Sequence, residues 1–498
     1  MENRFNLIDE PWIPLADVGK VSLKQVFSDA SFQSLGGTPV QKIVIIKLLL
    51  AISQAAFTPA DDEAWEALGA DGMASKSLDY LNKWHHAFWL YGDSPFLQMP
   101  EVAIAKQQSF GAVSPEVATG NTTVLTQSQV ERGMDDAERA MLIVVLMSFS
   151  LGGKKTDNRV VLTSGYKGKE NDKGKPSTGK SGSAIGFLGF LHSFLQAESL
   201  IVSIWLNLLT IEQIKRLGIY PVGIGIPPWE KMPAGEGDDL AQSLQQSYMG
   251  RLIPMGRFCL LGETGMHYSE GVFHSGYNQG MYDPSMAVDF SQKKPKALWV
   301  DPQKRPWRQL TALLAFLGDR SIGSFDCHQI IFGLSRARRQ VISIGIWSGG
   351  LRVSSNAGEQ YVSGADDYVE STTFLQSDWL GEVWYAQLKV EMQVLEKISK
   401  NLYGATLGYF KTQKVDGAKQ AAQCTSLFWQ FCEREFQSLV DNCGDSEKAY
   451  IKRGAFVGHA YKSYDSFCSN DTARQLDAWA DNRPNFSKYL IQTREGAV

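Results

Sequence analysis

The sequence predicts an α+β protein, with a large mixed N-terminal domain followed by a C-terminal four-helix bundle. Up to residue 371, short strand-like pieces and helix-like runs follow one another irregularly, with many turns between them. After Thr372, apolar residues recur at helical spacing in four consecutive runs joined by short links. We therefore predict a mixed α/β domain at 1–371 and a four-helix bundle at 372–498.

The first elements of the chain are short strands followed by helices. Two strand-like pieces lie on either side of a turn at Gly19. Helix-like runs then cover residues 39–56, 77–90 and 137–150, the last of which is strongly apolar.

Two further segments of the N-terminal part differ in the period of their apolar residues, one helical and one strand-like. Residues 183–197 predict a helix, because large apolar side chains would share one of its faces. These side chains are Phe187, Phe190, Leu191 and Phe194. In contrast, Ile342, Ile344 and Ile346 alternate with smaller residues, which indicates a half-buried strand.

The C-terminal bundle is predicted from four amphipathic runs. The first two runs carry apolar residues at helical spacing, and two more helix-like runs cover 447–468 and 472–491. The apolar positions of the first two runs are Trp384, Leu388, Met392 and Leu395, and then Cys424, Phe428, Phe431, Phe436 and Leu439.

The composition is that of an ordinary water-soluble protein. Of 498 residues, 44% are hydrophobic and 20% are charged, and the net charge of -4 excludes a generally basic surface. Any contact with nucleic acid must therefore use local basic patches. The six cysteines form no C-x-x-C pair, which favours free thiols, and no apolar stretch is long enough to span a bilayer. We expect a cytoplasmic protein without membrane contact.

The stretch GKPSTGKS, at Gly174–Ser181, matches the phosphate-loop pattern of nucleotide hydrolases. A working phosphate loop follows a buried strand directly, but the preceding residues GYKGKENDK are polar. A flexible basic loop is the favoured interpretation, and a nucleotide hydrolase is kept as an alternative. Residues 152–183 hold eight basic and three acidic residues, a net +5, so this segment suits contact with phosphodiesters.

Other catalytic patterns are absent from the sequence. There is no H-E-x-x-H pair and no G-x-S-x-G elbow, and the adjacent acids Asp366 and Asp367 are typical of a solvated turn. We predict no enzymatic activity, no cofactor and no metal. The aromatic content of 11% leaves a general single-stranded nucleic-acid binder as a further alternative.

Four stretches of the chain resemble a known family. FNLIDEPWIP at 5–14, GKVSL at 19–23, SPFLQMP at 94–100 and IWSGGLRVSSNAG at 346–358 are similar to CasA, the large subunit of the type I-E CRISPR surveillance complex Cascade. The resemblance implies a non-catalytic subunit that binds the 5′ end of the CRISPR RNA and the other Cascade subunits. It also implies that the N-terminal domain reads the protospacer-adjacent motif (PAM) of double-stranded DNA, starts duplex opening and recruits a helicase-nuclease.

The resemblance also implies functional residues in three loops. A wedge that enters the duplex corresponds to Ser355, Asn356, Ala357 and Gly358, preceded by Arg352. A glycine-rich loop along the minor groove corresponds to Gly152, Gly153, Lys154 and Lys155, with 164–183, which includes Lys167 and Lys169, as a competing placement. A loop that docks on the RNA-protein assembly corresponds to Gly120, Asn121, Thr122 and Thr123.

One element of the family is not matched. Relatives insert a lysine finger into the minor groove, but no lysine occurs from Gly256 to Ser291, where His274, Tyr277 and Asn278 occupy the approximate region. A lysine contact in the minor groove is therefore not expected from this region, and the accepted motif can differ between relatives.

Overall fold

The computed structural model describes residues 2–114, 133–149, 189–318, 324–353 and 368–490. Its helices and strands together confirm the predicted α+β class. The helices are α1 Leu23–Ser28, α2 Pro39–Ala56, α3 Asp62–Lys83, α4 Phe110–Val113, α5 Asp136–Ser148, α6 Leu200–Asn207, α7 Ile211–Leu217, α8 Asp239–Gln245, α9 Met249–Leu252, α10 Leu310–Leu313, α11 His328–Ala337, α12 Glu382–Thr412, α13 Ala418–Asn442, α14 Ser446–Phe467 and α15 Ala473–Asn482. The strands are β1 Arg4–Asn6, β2 Ile13–Leu15, β3 Gly19–Val21, β4 Trp89–Tyr91, β5 Gln108–Ser109, β6 His192–Gln196, β7 Arg257–Leu261, β8 Gly265–Glu270, β9 Ala287–Asp289, β10 Lys296–Ala297, β11 Asp326–Cys327, β12 Ser343–Leu351 and β13 Tyr368–Gln376.

The chain divides into two units. The first unit contains Met1–Pro306 and Ile322–Thr372, and the second contains Trp307–Ser321 and Thr373–Val498. The second unit thus includes a segment at 307–321 that the sequence assigns to the N-terminal domain.

Small sheets and buried helices make up the described part of the first unit. The strands pair as β1-β4, β2-β3, β5-β8-β7, β10-β9-β11 and β13-β12-β6. Helix α2 packs against α3, α5 and strand β12, and its apolar residues face inward on all sides. Thr38 caps α2, and the side chain of Gln41 bonds back to the Thr38 backbone, which fixes where the helix begins.

Helix α2 is the one described helix that is long and apolar enough to cross a bilayer. The sequence interpretation regarded its apolar core as too short, but its 18 residues reach the required length. Of those residues, 78% are buried inside the protein, as expected of a core helix.

The sheet β13-β12-β6 corrects one sequence prediction. Residues 192–196 form strand β6, not part of a helix over 183–197, and β6 pairs antiparallel with β12 so that Phe194 faces Trp347. Side chains of His192–Leu195 are buried on both faces of the strand, which gives a short apolar run without alternation. Such a run has no period that separates strand from helix, so pairing with β12 decides its structure. The predicted strand around Ile344 and Ile346 is confirmed as β12, although Ile342 lies before it.

A second correction concerns the helix predicted at 77–90. Helix α3 begins at Asp62, where Asp61 caps it, and ends at Lys83, so residues 89–91 form strand β4 instead. Gly69, inside α3, has a φ of 62° and interrupts the helix, which hides the periodicity of its first half.

The helices of the second unit match the sequence most closely. Helices α12, α13 and α14 pack on one another, and α15 packs on α12. Helix α15 ends at Asn482 and not near residue 491, because Pro484 disfavours helical backbone in the residue before it. The preceding segment joins this unit through Trp307, whose ring lies 4.5 Å from that of Phe436.

Candidate nucleic-acid interface

Of the site residues predicted from the sequence, only Arg352 lies in the described part of the chain. It is half-buried and directly follows β12. The remaining predicted sites lie outside the described residues, and their roles stay predictions. They are the wedge Ser355, Asn356, Ala357 and Gly358, the basic-loop residues Gly152, Gly153, Lys154, Lys155, Lys167 and Lys169, the docking loop Gly120, Asn121, Thr122 and Thr123, and the phosphate-loop stretch Gly174–Ser181.

The described chain nevertheless shows where two of these segments are attached. The basic segment rejoins the described chain at Gly189, and the wedge segment leaves it after Val353. A Cβ atom on Gly189 would lie 2.8 Å from the carbonyl oxygen of Leu351 and 3.0 Å from the amide nitrogen of Val353. Gly189 also has a φ of 68°, so glycine is favoured there for both space and backbone conformation. The two attachment points are therefore in backbone contact.

A third segment, Leu298–Val300, completes this end of the sheet. The Val300 amide donates to the Gly189 carbonyl oxygen at 2.8 Å, and the Leu191 amide donates to the Leu298 carbonyl oxygen at 3.0 Å. The rings of Phe190 and Trp299 lie 4.9 Å apart between these bonds. Backbone hydrogen bonds on both sides of an aromatic contact hold the three segments at fixed separations. We call this region the sheet end.

Exposed basic side chains surround Leu298–Val300 along the chain. They are Lys293, Lys294, Lys296, Lys304 and Arg305, all exposed to solvent, and we call them the basic row. Asp301 is the single acid among residues 291–305, so five positive charges against one negative leave +4 there, in a chain whose net charge is -4. A local positive surface of this kind attracts phosphate groups without making the whole protein basic.

The basic row lies beside a strand pair and a buried apolar cluster that support it. Strand β10 pairs with β9, where Lys296 faces Asp289. Burial opposes ionisation of Asp289, but hydrogen bonds from Ser291 and Gln292 outweigh it, so the pKa of Asp289 lies below its usual range. Beneath the strands is a cluster of buried apolar side chains, which are Phe190, Tyr282, Met286, Val288 and Ala297. Such a support holds the lysine backbones in place while the side chains stay free to move.

The residues that occupy the expected lysine-finger region behave differently from one another. His274 is buried, its Nε2 lies 2.7 Å from the Pro254 carbonyl oxygen, and burial together with Arg251 lowers its pKa to about 3. This imidazole is neutral and cannot reach a ligand. Tyr277 instead packs its ring 5.7 Å from that of Phe190 at the sheet end, and the neighbouring Asn278 is exposed.

The sequence interpretation did not identify the basic row. The region expected to hold the finger ends at Ser291, two residues before Lys293, and the basic residues beyond it are interrupted by prolines and apolar residues. The signal that could have found them is the charge of +4 over 291–305. Within the described residues, no group of three or more His, Cys, Asp or Glu side chains could hold a metal ion.

Comparison with known proteins gives a family model that covers most of the chain. The model of the family described as CRISPR-associated protein Cse1 matches residues 6–463. The CRISPR-associated protein CasA/Cse1 of Thermus thermophilus is 30% identical over 166 residues. That match covers 30% of this chain and 32% of the relative, so it spans about a third of the relative's length.

Several solved structures share the fold over almost the full length. Thermobifida fusca Cse1 has a TM-score of 0.75 at 18% identity, with 98% of each chain covered. CasA of Thermus thermophilus has a TM-score of 0.72 at 19% identity, with 98% of this chain and 99% of that chain covered. A chain of a structure described as a CRISPR RNA-guided surveillance complex has a TM-score of 0.71 at 14% identity, with 98% and 100% covered.

Proposed function

This chain belongs to the CRISPR-associated Cse1 family, and from that premise we propose that it is the large, non-catalytic subunit of a type I-E CRISPR surveillance complex. In this role it binds the 5′ end of the CRISPR RNA and the other Cascade subunits. It recognises the PAM in double-stranded DNA, opens the duplex to start the R-loop and recruits the helicase-nuclease. The likeness to a chain of a solved CRISPR RNA-guided surveillance complex supports this assignment.

The observation that carries the proposal is the convergence of two attachment points at the sheet end. The segment with the predicted wedge leaves after Val353, and the segment with the predicted basic loop returns at Gly189, whose backbone lies against Val353. A wedge separates bases only if other contacts hold the duplex beside it. Attachment of both segments to one hydrogen-bonded support is therefore what PAM binding followed by strand separation requires.

The basic row supplies the electrostatic part of the same proposal. Neutralising a DNA phosphate with a lysine releases condensed counterions, which gives affinity that falls with salt and does not depend on base sequence. Phosphate contacts set the register of the duplex, and side chains near the bases then read the motif. The exposed lysines of the basic row are suited to the first task, and the second is assigned to the glycine-rich loop predicted at Gly152, Gly153, Lys154 and Lys155.

Strand separation needs a free-energy source beyond protein contacts. Unstacking one base step costs a few kcal/mol, so the predicted wedge can start strand separation but cannot continue it alone. Pairing of the guide RNA with the target strand then replaces the DNA pairs that are lost. A non-catalytic wedge beside a phosphate-binding surface is sufficient for this sequence of events.

The test uses the chain reconstituted with guide RNA and partner subunits. Duplex affinity is measured over a range of salt concentrations, and strand opening is followed by 2-aminopurine fluorescence next to the PAM. Asn356→Ala with Ala357→Asp is expected to keep most duplex affinity and to lose opening. Reversing Lys293, Lys294 and Lys296 to Glu is expected to lower affinity at least about tenfold and to reduce the salt slope by about two to three.

A matched control reverses three exposed lysines of the second unit, Lys397, Lys400 and Lys411, which changes the net charge equally. This control is expected to leave affinity within about twofold, because it makes the same change in net charge without removing a positive charge from the basic row. Equal losses of duplex affinity in the two triple variants would mean that affinity depends on net charge alone and not on the basic row. Unchanged opening in the Asn356 and Ala357 double variant would overturn the wedge.

A further inference from the structure

A cavity of about 360 Å³ lies on one face of the sheet β13-β12-β6, next to the N-terminal half of α2. Its main lining side chains are Lys42, Phe194, Gln196, Trp347, Glu370 and Thr372. Its volume falls in the range of pockets that hold a small organic ligand. None of these residues is used by the basic row or by the predicted wedge, and the resemblance to CasA assigned none of them a role.

Trp347 is the aromatic wall of this cavity, and its position is fixed from two sides. Its Nε1 donates to Oε2 of Glu370 at 3.1 Å. Its six-membered ring covers Gly349, where a Cβ atom would lie 2.7 Å from the indole. The indole is only half-buried, and the ring of Phe194 lies 6.3 Å away at a tilt of 32°. A half-buried indole held in this way is a stacking surface for a planar ligand.

The polar groups of the cavity leave one acceptor and one donor unused. Oε2 of Glu370 accepts from Lys42 at 2.7 Å and from Trp347, while Oε1 has no hydrogen-bond partner in the described part of the chain. Oε1 of Gln196 accepts from the Thr372 hydroxyl at 3.3 Å, and the amide N–H groups of Gln196 are likewise unpaired within the described ranges. The carboxylate is also charge-balanced by Lys42, so a neutral ligand can bind without leaving a net buried charge.

We propose that this cavity binds a single unpaired nucleobase and prefers guanine. A planar base stacks on Trp347, and stacking on an aromatic side chain contributes about 1–3 kcal/mol per base. Guanine carries two adjacent donors, N1–H and the N2 amino group, that can share the two lone pairs of the free Oε1 of Glu370, and an O6 acceptor that matches the Gln196 amide. Adenine turns the N1 acceptor toward the carboxylate, which disfavours it. This inference rests on the proposed function for the source of the base, which is a strand displaced at the sheet end.

The cavity lies within reach of that strand. Trp347 precedes Leu351 by four residues on β12, which corresponds to about 13 Å along a strand. Gly349 and Leu351 lie on the same face as Trp347, because side chains alternate between the faces of a strand. A strand separated at the sheet end can therefore place one base beside Trp347 without crossing the sheet.

The test measures binding of short thymine-rich single strands to the full chain by fluorescence anisotropy. The probes differ only at one central base, which is guanine, adenine or hypoxanthine. The guanine strand is expected to bind at least about fivefold more tightly than the adenine strand, and hypoxanthine, which lacks the N2 amino group, to fall between them. Crosslinking with a 6-thioguanine strand is expected to label a peptide that contains Trp347 or Glu370.

Glu370→Gln is the informative variant, because the amide has the shape of the carboxylate and keeps an oxygen for Lys42. It is expected to remove the guanine preference while leaving thermal stability and thymine-strand binding nearly unchanged. The matched control, Glu212→Gln, makes the same charge change at an exposed position in the first turn of α7 and should keep the preference.

Two results would overturn the inference: equal affinity for the guanine and adenine strands, or a preference that survives Glu370→Gln. Either result can occur while duplex opening depends on Asn356 as proposed above. Conversely, loss of PAM binding as a function together with an intact guanine preference would remove the proposed function and leave the base site in place. The two proposals therefore fail by separate measurements.

Discussion

The first unit uses lysine in two contrasting ways. Lys47, on α2, is 1% exposed, and its ammonium forms an ion pair with Asp283 and donates to the Arg251 carbonyl oxygen at 3.1 Å. Lys293, Lys294 and Lys296 of the basic row are exposed on a strand and a loop. The same charged group is thus part of the core in one place and available to a ligand in the other.

The surroundings of Asp283 show why the fold depends on the buried lysine Lys47. The Ser285 amide donates to Oδ1 of Asp283 at 2.9 Å, and the Ser285 hydroxyl donates to it at 2.8 Å. Burial alone would raise the pKa of Asp283, but Lys47, His192 and these bonds outweigh it and lower the pKa. A buried charge with a complete set of partners is tolerated, whereas one that loses a partner is strongly destabilising. Burial therefore decides whether a lysine contributes mainly to the stability of the fold or mainly to ligand binding.

The largest effect is expected for Lys47→Met. Methionine fills a similar volume but leaves the carboxylate of Asp283 buried without its counter-charge, which should lower the free energy of unfolding by about 3–5 kcal/mol. Thermal and urea unfolding monitored by circular dichroism measure this. Adding Asp283→Asn removes the orphaned charge and should recover part of the loss. A single Lys47→Met variant as stable as the wild type would show that the buried pair does not stabilise the fold.

The next effect is a loss of stability in acid that depends on His274. Its folded pKa of about 3 lies below the ordinary value of 6.5, so between these values the unfolded chain binds a proton that the folded chain excludes. The contribution of His274 to the free energy of unfolding is therefore fully present above about pH 6.5. It falls by about 1.4 kcal/mol per pH unit as the pH drops from there toward 3. Between pH 7 and pH 5 the expected loss from this group is about 2 kcal/mol.

His274→Gln tests this contribution. Glutamine keeps a donor for the Pro254 carbonyl oxygen but does not titrate, so the variant should show a smaller fall in unfolding free energy between pH 7 and pH 5. The matched control is His86→Gln, because His86 is exposed. If the free energy of unfolding falls equally between pH 7 and pH 5 in the two variants, a group other than His274 is responsible for the fall.

The sequence predicts the second unit well for a physical reason. Helices α12 and α13 each pack one face inward and leave the other face in water, so Leu388, Met392, Phe428 and Leu439 recur with the period of a helix. Strand β6 has no such contrast, because both faces are covered. Local sequence cannot identify a strand whose partner, β12, is more than 140 residues away.

The candidate site is predictable to a smaller degree. Arg352 and the predicted wedge after it follow only from the resemblance of IWSGGLRVSSNAG to the family, since such residues are common in polar segments of any protein. The basic row has a visible charge signal, but its closeness to Gly189 depends on the pairing of Leu191 with Leu298, which local patterns do not encode. The cavity beside Trp347 combines residues from α2, β6, β12 and β13, so only the fold brings them together.

The smallest effect is expected at an exposed ion pair with the same chemistry as Lys47 and Asp283. The ammonium of Lys20 lies 3.2 Å from Oδ2 of Asp135, with the two side chains 45% and 61% exposed. Lys20→Ala should lower the free energy of unfolding by less than about 1 kcal/mol, because water screens the pair and competes for both groups.

The partner residue sharpens this comparison. Asp135 also caps α5, where its Oδ1 accepts from the Glu138 amide at 2.7 Å. Asp135→Ala should therefore cost about 0.5–2 kcal/mol, more than Lys20→Ala, although both variants remove the same ion pair. Chemical unfolding of the two variants measures the difference. Equal losses would mean that the ion pair outweighs the cap, and a Lys20→Ala loss as large as that of Lys47→Met would refute burial as the deciding factor.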